Sequence, residues 1–328
     1  MIYVRNDSTN PHFNLASEEY VFNCMDRGEE YFLLWQNEPS IIIGKHQNTI
    51  EEINRDFVKE NNIHVVRRLS GGGAVYHDLG NLNFTFIVKN QESSQFDFKK
   101  FTAPVIEALK KLDVDAEFNS RNDLAIEGKK FSGNAQYMKK DRLLHHGTLL
   151  FRSDLDNLVK ALNVSDDKIL SKSIKSVRSR VTNIYDYLHT AMTIDEFKEL
   201  LLKLLFEEDT NMKEYTLTEQ DIKEINRIMK ERYSTWDWNY GKSPKFNIKK
   251  EKRFDYGKVE TLIDVENGTI KSLRIYGDFF GNGDLTDIEN KLVGYKYEET
   301  EIKGILESID VQHYFSNISM EQLLSVLI

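Results

Sequence analysis

The chain predicts an α+β fold, and three features of its 328 residues carry the prediction. Strand-like runs cluster instead of alternating regularly with helical ones, which argues against a doubly wound parallel sheet. Amphipathic helical stripes stand before, between and after those clusters. A lysine-rich stretch near residue 240 separates a second, smaller unit. The elements follow in order. Asn14 reads as the N-cap of a first helix carrying Glu18, Val21 and Met25. "YFLLWQ" and "SIIIGKH" read as two strands turned around Pro39. Ile50, Ile53 and Phe57 fall on one helical face. "IHVVRR" enters and "LNFTFIV" leaves a glycine run at Gly71–Gly73 as strands. Phe101, Val105, Leu109 and Leu112 mark a helix, and strand runs follow at 115–119, 123–127 and 145–151. From about 154 the chain turns mainly helical, with stripes at Ile194, Phe197, Leu201 and Leu204 and at Ile222, Ile225 and Met229.

"NYGKSPKFNIKKEKR", 239 to 253, combines Gly241, Pro244 and lysines and reads as a linker. The expected division is a first domain at 1–240, a linker at 241–253 and an accessory domain at 254–328. The accessory part opens with two strand runs joined through Asn267-Gly268, a strong hairpin signal, and ends in the helical "SMEQLLSVLI".

Hydrophobic residues make up 40% and charged residues 30%, the balance of a soluble globular protein. The net charge of −9 argues against general nucleic-acid binding, which needs a broad cationic surface. No apolar run is long enough to span a membrane, and "MIYVRNDSTN" lacks the apolar segment of a signal peptide. Cys24 is the single cysteine, so no internal disulfide or CxxC site exists, which fits a cytoplasmic location.

Three segments carry candidate chemistry. "RRLSGGGAVYHDLGN" lacks the Gly-Lys-Ser/Thr ending of a P-loop and the GxGxxG spacing of a dinucleotide fold. Its glycines still allow close backbone approach to a ligand, successive N–H groups can cradle an anion, and Arg68 can supply a forked contact. The plainer reading is a tight glycine hairpin with charges nearby. "RNDLAIEGKKFSGNAQ" reads as a hairpin presenting Lys130 beside Ser132-Gly133, a cation suited to developing negative charge, or else an exposed turn lysine. "SKSIKSVRSRVTN" places Lys172, Lys175, Arg178 and Arg180 among serines with no acid: a basic loop that could close over an anion, a docking patch or a solvated loop. His145 and His146 are adjacent and would face opposite sides of a strand; with no HExxH, a zinc site is not expected. His77 follows the glycine loop and either donates to a ligand or packs. Cys24, on an amphipathic helix, reads as a core residue rather than a nucleophile.

In order and spacing, these segments together with "HHGTLLF" resemble the lipoate–protein ligases, over the whole chain. The resemblance implies the α+β catalytic fold shared with biotin protein ligases and related to class II aminoacyl-tRNA synthetases, followed by a small α+β domain. It implies that ATP with Mg²⁺ activates lipoate to lipoyl-AMP. The lipoyl group then passes to a lysine of a lipoyl domain, on E2 subunits of 2-oxoacid dehydrogenases or the glycine-cleavage H protein. It implies Lys130 as the central catalytic residue, touching acid and α-phosphate. Arg68, Gly73, Ala74, Val75, Tyr76, Asp123 and Arg178 are implied on the nucleotide side. Ser70, Gly71, Gly72, Gly73, His77 and His146 are implied on the lipoyl side. Asp123 would orient Lys130 or help hold Mg²⁺, and Trp35 and Ile43 would wall the slot for the alkyl chain. An ATP-independent lipoyl or octanoyl transferase of the same fold is the nearest alternative, and a non-catalytic lipoate- or nucleotide-binding protein the next. The position of the lone cysteine outside the motifs argues against a thioester-forming transferase.

Overall fold

The computed structural model describes residues 1–90, 96–119, 122–162, 179–206, 212–241 and 246–328. Its elements, in chain order, are β1 (Ile2–Arg5), α1 (Pro11–Asn23), β2 (Tyr31–Trp35), β3 (Ser40–Ile43), α2 (Thr49–Glu52), α3 (Arg55–Glu60), β4 (His64–Arg67), β5 (Val75–His77) and β6 (Asn81–Lys89). Then come α4 (Phe98–Lys110), β7 (Ala116–Asn119), β8 (Asp123–Ile126), β9 (Lys129–Lys139), β10 (Arg142–Leu150), α5 (Leu155–Ala161), α6 (Ile194–Leu205), β11 (Lys213–Thr216) and α7 (Glu219–Ile228). The fold is α+β, as expected.

The large sheet runs β11-β1-β2-β6-β10-β9-β8-β7. Its two pairings at β1 are parallel and the rest antiparallel. One face packs on α4 and α6 through Phe84, Val105, Leu109, Phe197 and Leu201. The other packs on α1 and α7 through Leu15, Phe22, Leu33 and Ile225. Both faces are covered, which is why β2 reads as the continuous run Tyr31–Trp35, all of it buried. A smaller sheet, β4-β3-β5, stands beside it. Here β3 pairs β4 in parallel and β5 antiparallel. The glycine run therefore does not close a hairpin: β3 lies between the strands it connects.

Two local readings change. Asn10, not Asn14, caps α1: its side chain accepts from the backbone N–H groups of His12 and Phe13, and Pro11 occupies the first helical position. Asn14 is buried within the helix and donates instead to Asn37, which follows β2. The single helix expected around Ile53 is broken, because Ile53 leaves the helical path to bridge Leu162. Asn54 then caps α3 by accepting from the Phe57 N–H.

After residue 246, the strands β12 (Ile248–Phe254), β13 (Gly257–Glu266) and β14 (Thr269–Gly277) form an antiparallel sheet. Most of the latter half of the expected linker is thus an edge strand. Ile248 and Phe254 pack on the accessory core while lysines and Arg253 face out, a charged edge that discourages further pairing. Asn267 (φ 51°) and Gly268 (φ 73°) make the tight hairpin turn that their sequence calls for. Helices Leu285–Leu292, Glu299–Leu306, Val311–Phe315 and Met320–Leu327 cover the sheet with Ile288, Ile302, Phe315 and Leu323. No helix among the described residues is long and apolar enough to cross a membrane.

Candidate active site

A pocket of about 580 Å³ opens where β5 and the glycine loop lie over β2, β6, β10 and β9 of the large sheet. One layer of its floor can be followed across the strands. Trp35 on β2 pairs with Asn83 on β6, and Asn83 pairs with Thr148 on β10. The Thr148 hydroxyl accepts from the Gly133 N–H of β9 at 3.0 Å. Lys130 reaches the pocket beside Gly133 and ion-pairs with Asp123 at 2.8 Å. The bend that presents it comes from Glu127 (φ 51°) and Gly128 (φ 72°), the turn between β8 and β9. Lys130 is also gripped through its backbone: its N–H donates to Arg180 at 2.7 Å and its carbonyl accepts from Thr182 at 2.9 Å. The end of the basic segment is thereby tied to the central lysine. Arg178 and residues 171–177 lie outside the described residues.

The glycine loop is held from within by Arg68. Its guanidinium is buried and donates to the Ser70 hydroxyl (3.0 Å) and to the carbonyls of Ile42 (3.0 Å), Gly71 (2.7 Å) and Gly73 (2.8 Å). Burial pushes its pKa down to about 10, and the Glu18 carboxylate opposes that shift. The sequence suggested a fork aimed at a ligand; most of this fork is spent bracing the loop, although Arg68 also lines the pocket. Arg67, half of the same Arg-Arg pair, does similar work next door. It donates to the carbonyls of Gly44, Lys45 and Gln47 and to the Thr49 hydroxyl.

Of the other residues singled out, Gly72, Gly73, Ala74, Val75, His77 and His146 line the pocket. Ser70, Gly71 and Tyr76 do not. Tyr76 points to the opposite side, into a cluster with Ile41 and Leu155; burial, with Asp78 and Asp154 nearby, pushes its hydroxyl pKa up to about 12. Ser70 sits behind the wall, 2.7 Å from His146 Nε2, and His146 Nδ1 lies 3.1 Å from both Glu18 oxygens. This has the outline of a serine–histidine–carboxylate triad. The Ser70 oxygen is buried and already accepts from Arg68, so the network is a brace rather than a nucleophile. His145 faces the other side of β10, fully buried against Phe84 and Phe101, and burial holds its pKa well below the usual range. Trp35 lines the pocket with Leu15; of the isoleucines it is Ile42, not Ile43, that does so, since Ile43 points into the small-sheet core.

Asn83, Asn122, Asn134 and Thr148 also line the pocket; Asn122, Asn134 and Thr148 lie within the sequence motifs, but none of the four was singled out there. Only cross-strand register places them there. The accessory unit is the other addition. Its Phe279 carbonyl accepts from the Gly72 N–H at 3.2 Å, and Phe280 packs against Phe98 and Ala135. The glycines are required for this contact. Gly72 has φ +88°, and a Cβ on Gly71 would lie 2.5 Å from the Phe279 carbonyl oxygen. Among the described residues no group of three His, Cys, Asp or Glu is placed to hold a metal ion.

What the arrangement can do is hold a molecule with an apolar body and an anionic end. Leu15, Trp35, Ile42 and Ala74 supply apolar wall, and Lys130 supplies the cation. Residues 10–206 match the lipoyl protein ligase A/B catalytic domain family, and residues 243–327 match the bacterial lipoate protein ligase C-terminus. The chain is 52% identical over 330 residues to the lipoate-protein ligase LplJ of Bacillus subtilis, covering all of both chains. Three solved structures are similar. LipL1 of P. falciparum, in complex with lipoate, has TM-score 0.82 and 28% identity over 99% of this chain and 98% of that one. A lipoate-protein ligase A bound with ATP has TM-score 0.63 and 30% identity over 73% and 98%. A bi-partite ligase and its E2 lipoyl domain from Thermoplasma acidophilum gives TM-score 0.67 and 32% identity over 75% and 98%.

Proposed function

The chain belongs to the lipoate–protein ligase family and is an enzyme of that class; from that premise we propose that it activates lipoate with ATP to lipoyl-AMP and then transfers the lipoyl group to a lysine of a lipoyl domain. The observation that carries this reading is the meeting of the Lys130 ammonium and the glycine-loop backbone at Gly73–Val75 in one pocket with apolar walls. In the first step a carboxylate oxygen of the acid attacks the α-phosphorus, an oxygen–phosphorus bond forms and pyrophosphate leaves. Both partners are anions, so a cation must stand between them. Lys130 is that cation. Asp123 keeps its ammonium in place. The N–H groups of Gly73, Ala74, Val75 and Tyr76 serve the nucleotide through the backbone, which agrees with Tyr76 turning its ring away. Arg68 acts mainly by fixing the loop's carbonyls. Ser70, Gly71, Gly72, His77 and His146 form or back the lipoyl side, and Arg178, outside the described residues, is assigned to the nucleotide by the family motif.

Mg²⁺ bound with the nucleotide would offset phosphate charge, and Asp123 would be the residue to help hold it. Among the described residues Asp123 is the carboxylate paired with Lys130, and magnesium commonly takes one or two carboxylates with phosphates and waters completing its shell. In the second step the acceptor lysine's neutral ε-amine attacks the acyl carbon, an amide forms and AMP leaves. The acceptors proposed are E2 lipoyl domains and the glycine-cleavage H protein; the pairing of the Thermoplasma ligase with its E2 lipoyl domain supports the first. A cytoplasmic setting suits these partners. Transfer without ATP through a thioester would need a thiolate in the pocket, and Cys24, just after α1, does not line it; it is exposed rather than in the core as its pattern suggested, because the helix ends before it, and desolvation pushes its thiol pKa up. The test is lipoate-dependent exchange of labelled pyrophosphate into ATP without acceptor protein. Exchange is expected. Lipoyl transfer that proceeds equally well with neither ATP nor preformed adenylate would overturn the reading.

A further inference from the structure

His77 lines the pocket and has one ring nitrogen, the buried Nε2, with no partner among the described residues, and the amide chain behind the ring determines which nitrogen bears the proton. The Asn14 side-chain NH₂ lies 2.9 Å from the Ser8 carbonyl oxygen and 2.7 Å from that of Gln36, so the atom there is a nitrogen. Its two N–H groups are shared with a third acceptor, Asn37 Oδ1 at 2.8 Å, where a second NH₂ would find no lone pair, and Asn6 donates to Asn14 Oδ1 at 2.9 Å. With its oxygen thus assigned, Asn37 turns its own NH₂ to His77 Nδ1 at 3.0 Å. In a neutral imidazole whose Nδ1 accepts, Nε2 holds the proton. The ring is neutral: burial, with the positive fields of Arg68 and His146, pushes its pKa down to about 3. Nε2 is buried without a partner among the described residues, while the His77 ring lines the pocket and packs edge-on against Trp35. Leaving a buried donor unsatisfied is costly, so such a group in a pocket wall is a place for a ligand acceptor.

Which acceptor it meets follows from the floor. Trp35 lies on β2, and Lys130 with Gly133 on β9, with β6 and β10 between. Three strand spacings of about 4.8 Å put those backbones roughly 14 Å apart. On the reading that Lys130 takes the carboxylate, the far end of the acid lies toward Trp35 and His77. The polar atoms there are the two sulfurs of the dithiolane ring. We propose that the His77 Nε2–H donates to a dithiolane sulfur, that Asn37 and Asn14 are positioning residues fixing this tautomer, and that His77 thereby favours lipoate over a plain fatty acid of equal chain length. The inference rests on the ligase reading above.

The test uses the full-length protein. Nitrogen-15 histidine spectra of the wild type should show a pyrrole-like Nε2 and a pyridine-like Nδ1 for His77, with the Nε2 signal moving when lipoate is added; the opposite tautomer overturns the proposal without any variant. In Asn37→Ala the single tautomer should give way to a mixture, a change that loss of packing alone would not produce, and an unchanged spectrum refutes the role of Asn37. Calorimetric titration of His77→Phe should show lipoate binding about five- to tenfold weaker and octanoate binding changed less than twofold. Equal losses for both acids, or no loss for either, overturn the sulfur assignment. Wild-type protein that binds neither acid would sink the ligase reading itself, a distinct result.

Discussion

The two ends of the pocket are built on opposite principles. At the closed end, Arg68, His77 and His146 are buried and held by protein: Arg68 donates to loop carbonyls, His77 Nδ1 accepts from Asn37, and His146 lies between Glu18 and Ser70. At the open end, Lys130 and Asp123 are partly exposed, 39% and 26% at the side chain, and face each other as a single ion pair. Buried, pre-paired groups hold a shape at low reorganisation cost. A half-exposed cation contributes little to stability and is free to exchange its partner for a substrate anion. On the proposed reading the closed end serves folding and recognition and the open end chemistry.

The largest effect expected on this contrast is at Arg68. Arg68→Leu strands the carbonyls of Ile42, Gly71 and Gly73 and should cost about 3 kcal/mol in urea unfolding; a loss under 1 kcal/mol would show that the fork is dispensable to the loop. Next is acid sensitivity. His46, His77 and His145 are held neutral by burial, with pKa values depressed from the ordinary 6.5. Below about pH 6.5 the unfolded chain takes up protons that the folded chain refuses, so each such histidine removes stability as pH falls, at about 1.4 kcal/mol per unit, until its own folded value is reached. Unfolding followed from pH 6 to 5 should have a slope smaller by about that amount in His77→Phe than in the wild type. Parallel slopes would mean that His77 is not held neutral.

The sequence was informative where chemistry and local geometry coincide. The Asn267-Gly268 turn, the strand at 81–89 and the helix at 98–110 follow from φ preferences and side-chain period. The glycine run stood out by its composition, whereas Lys130, which alone reads equally as an exposed turn lysine, stood out only through the family resemblance. What stayed hidden depends on register between distant strands. Thr148 meets Gly133, and Asn83 lies between Trp35 and Thr148, only because β2, β6, β10 and β9 are neighbours. Arg68 was read as ligand-facing because a sequence shows its charge but not the carbonyls around it. Asn14 was read as a cap since its type suits one; its place in a buried amide chain is a tertiary fact. The docking of Phe279 on Gly72 joins residues about 200 positions apart, and no local pattern encodes it.

The division of labour between the two ends is tested most directly by Lys130→Ala, assayed twice on one preparation. Lipoate binding by calorimetry should stay within about threefold of wild type, since the closed end is intact, while lipoate-dependent pyrophosphate exchange should fall at least a thousandfold. Exchange near the wild-type rate, or binding and exchange lost together in a folded variant, would contradict the account.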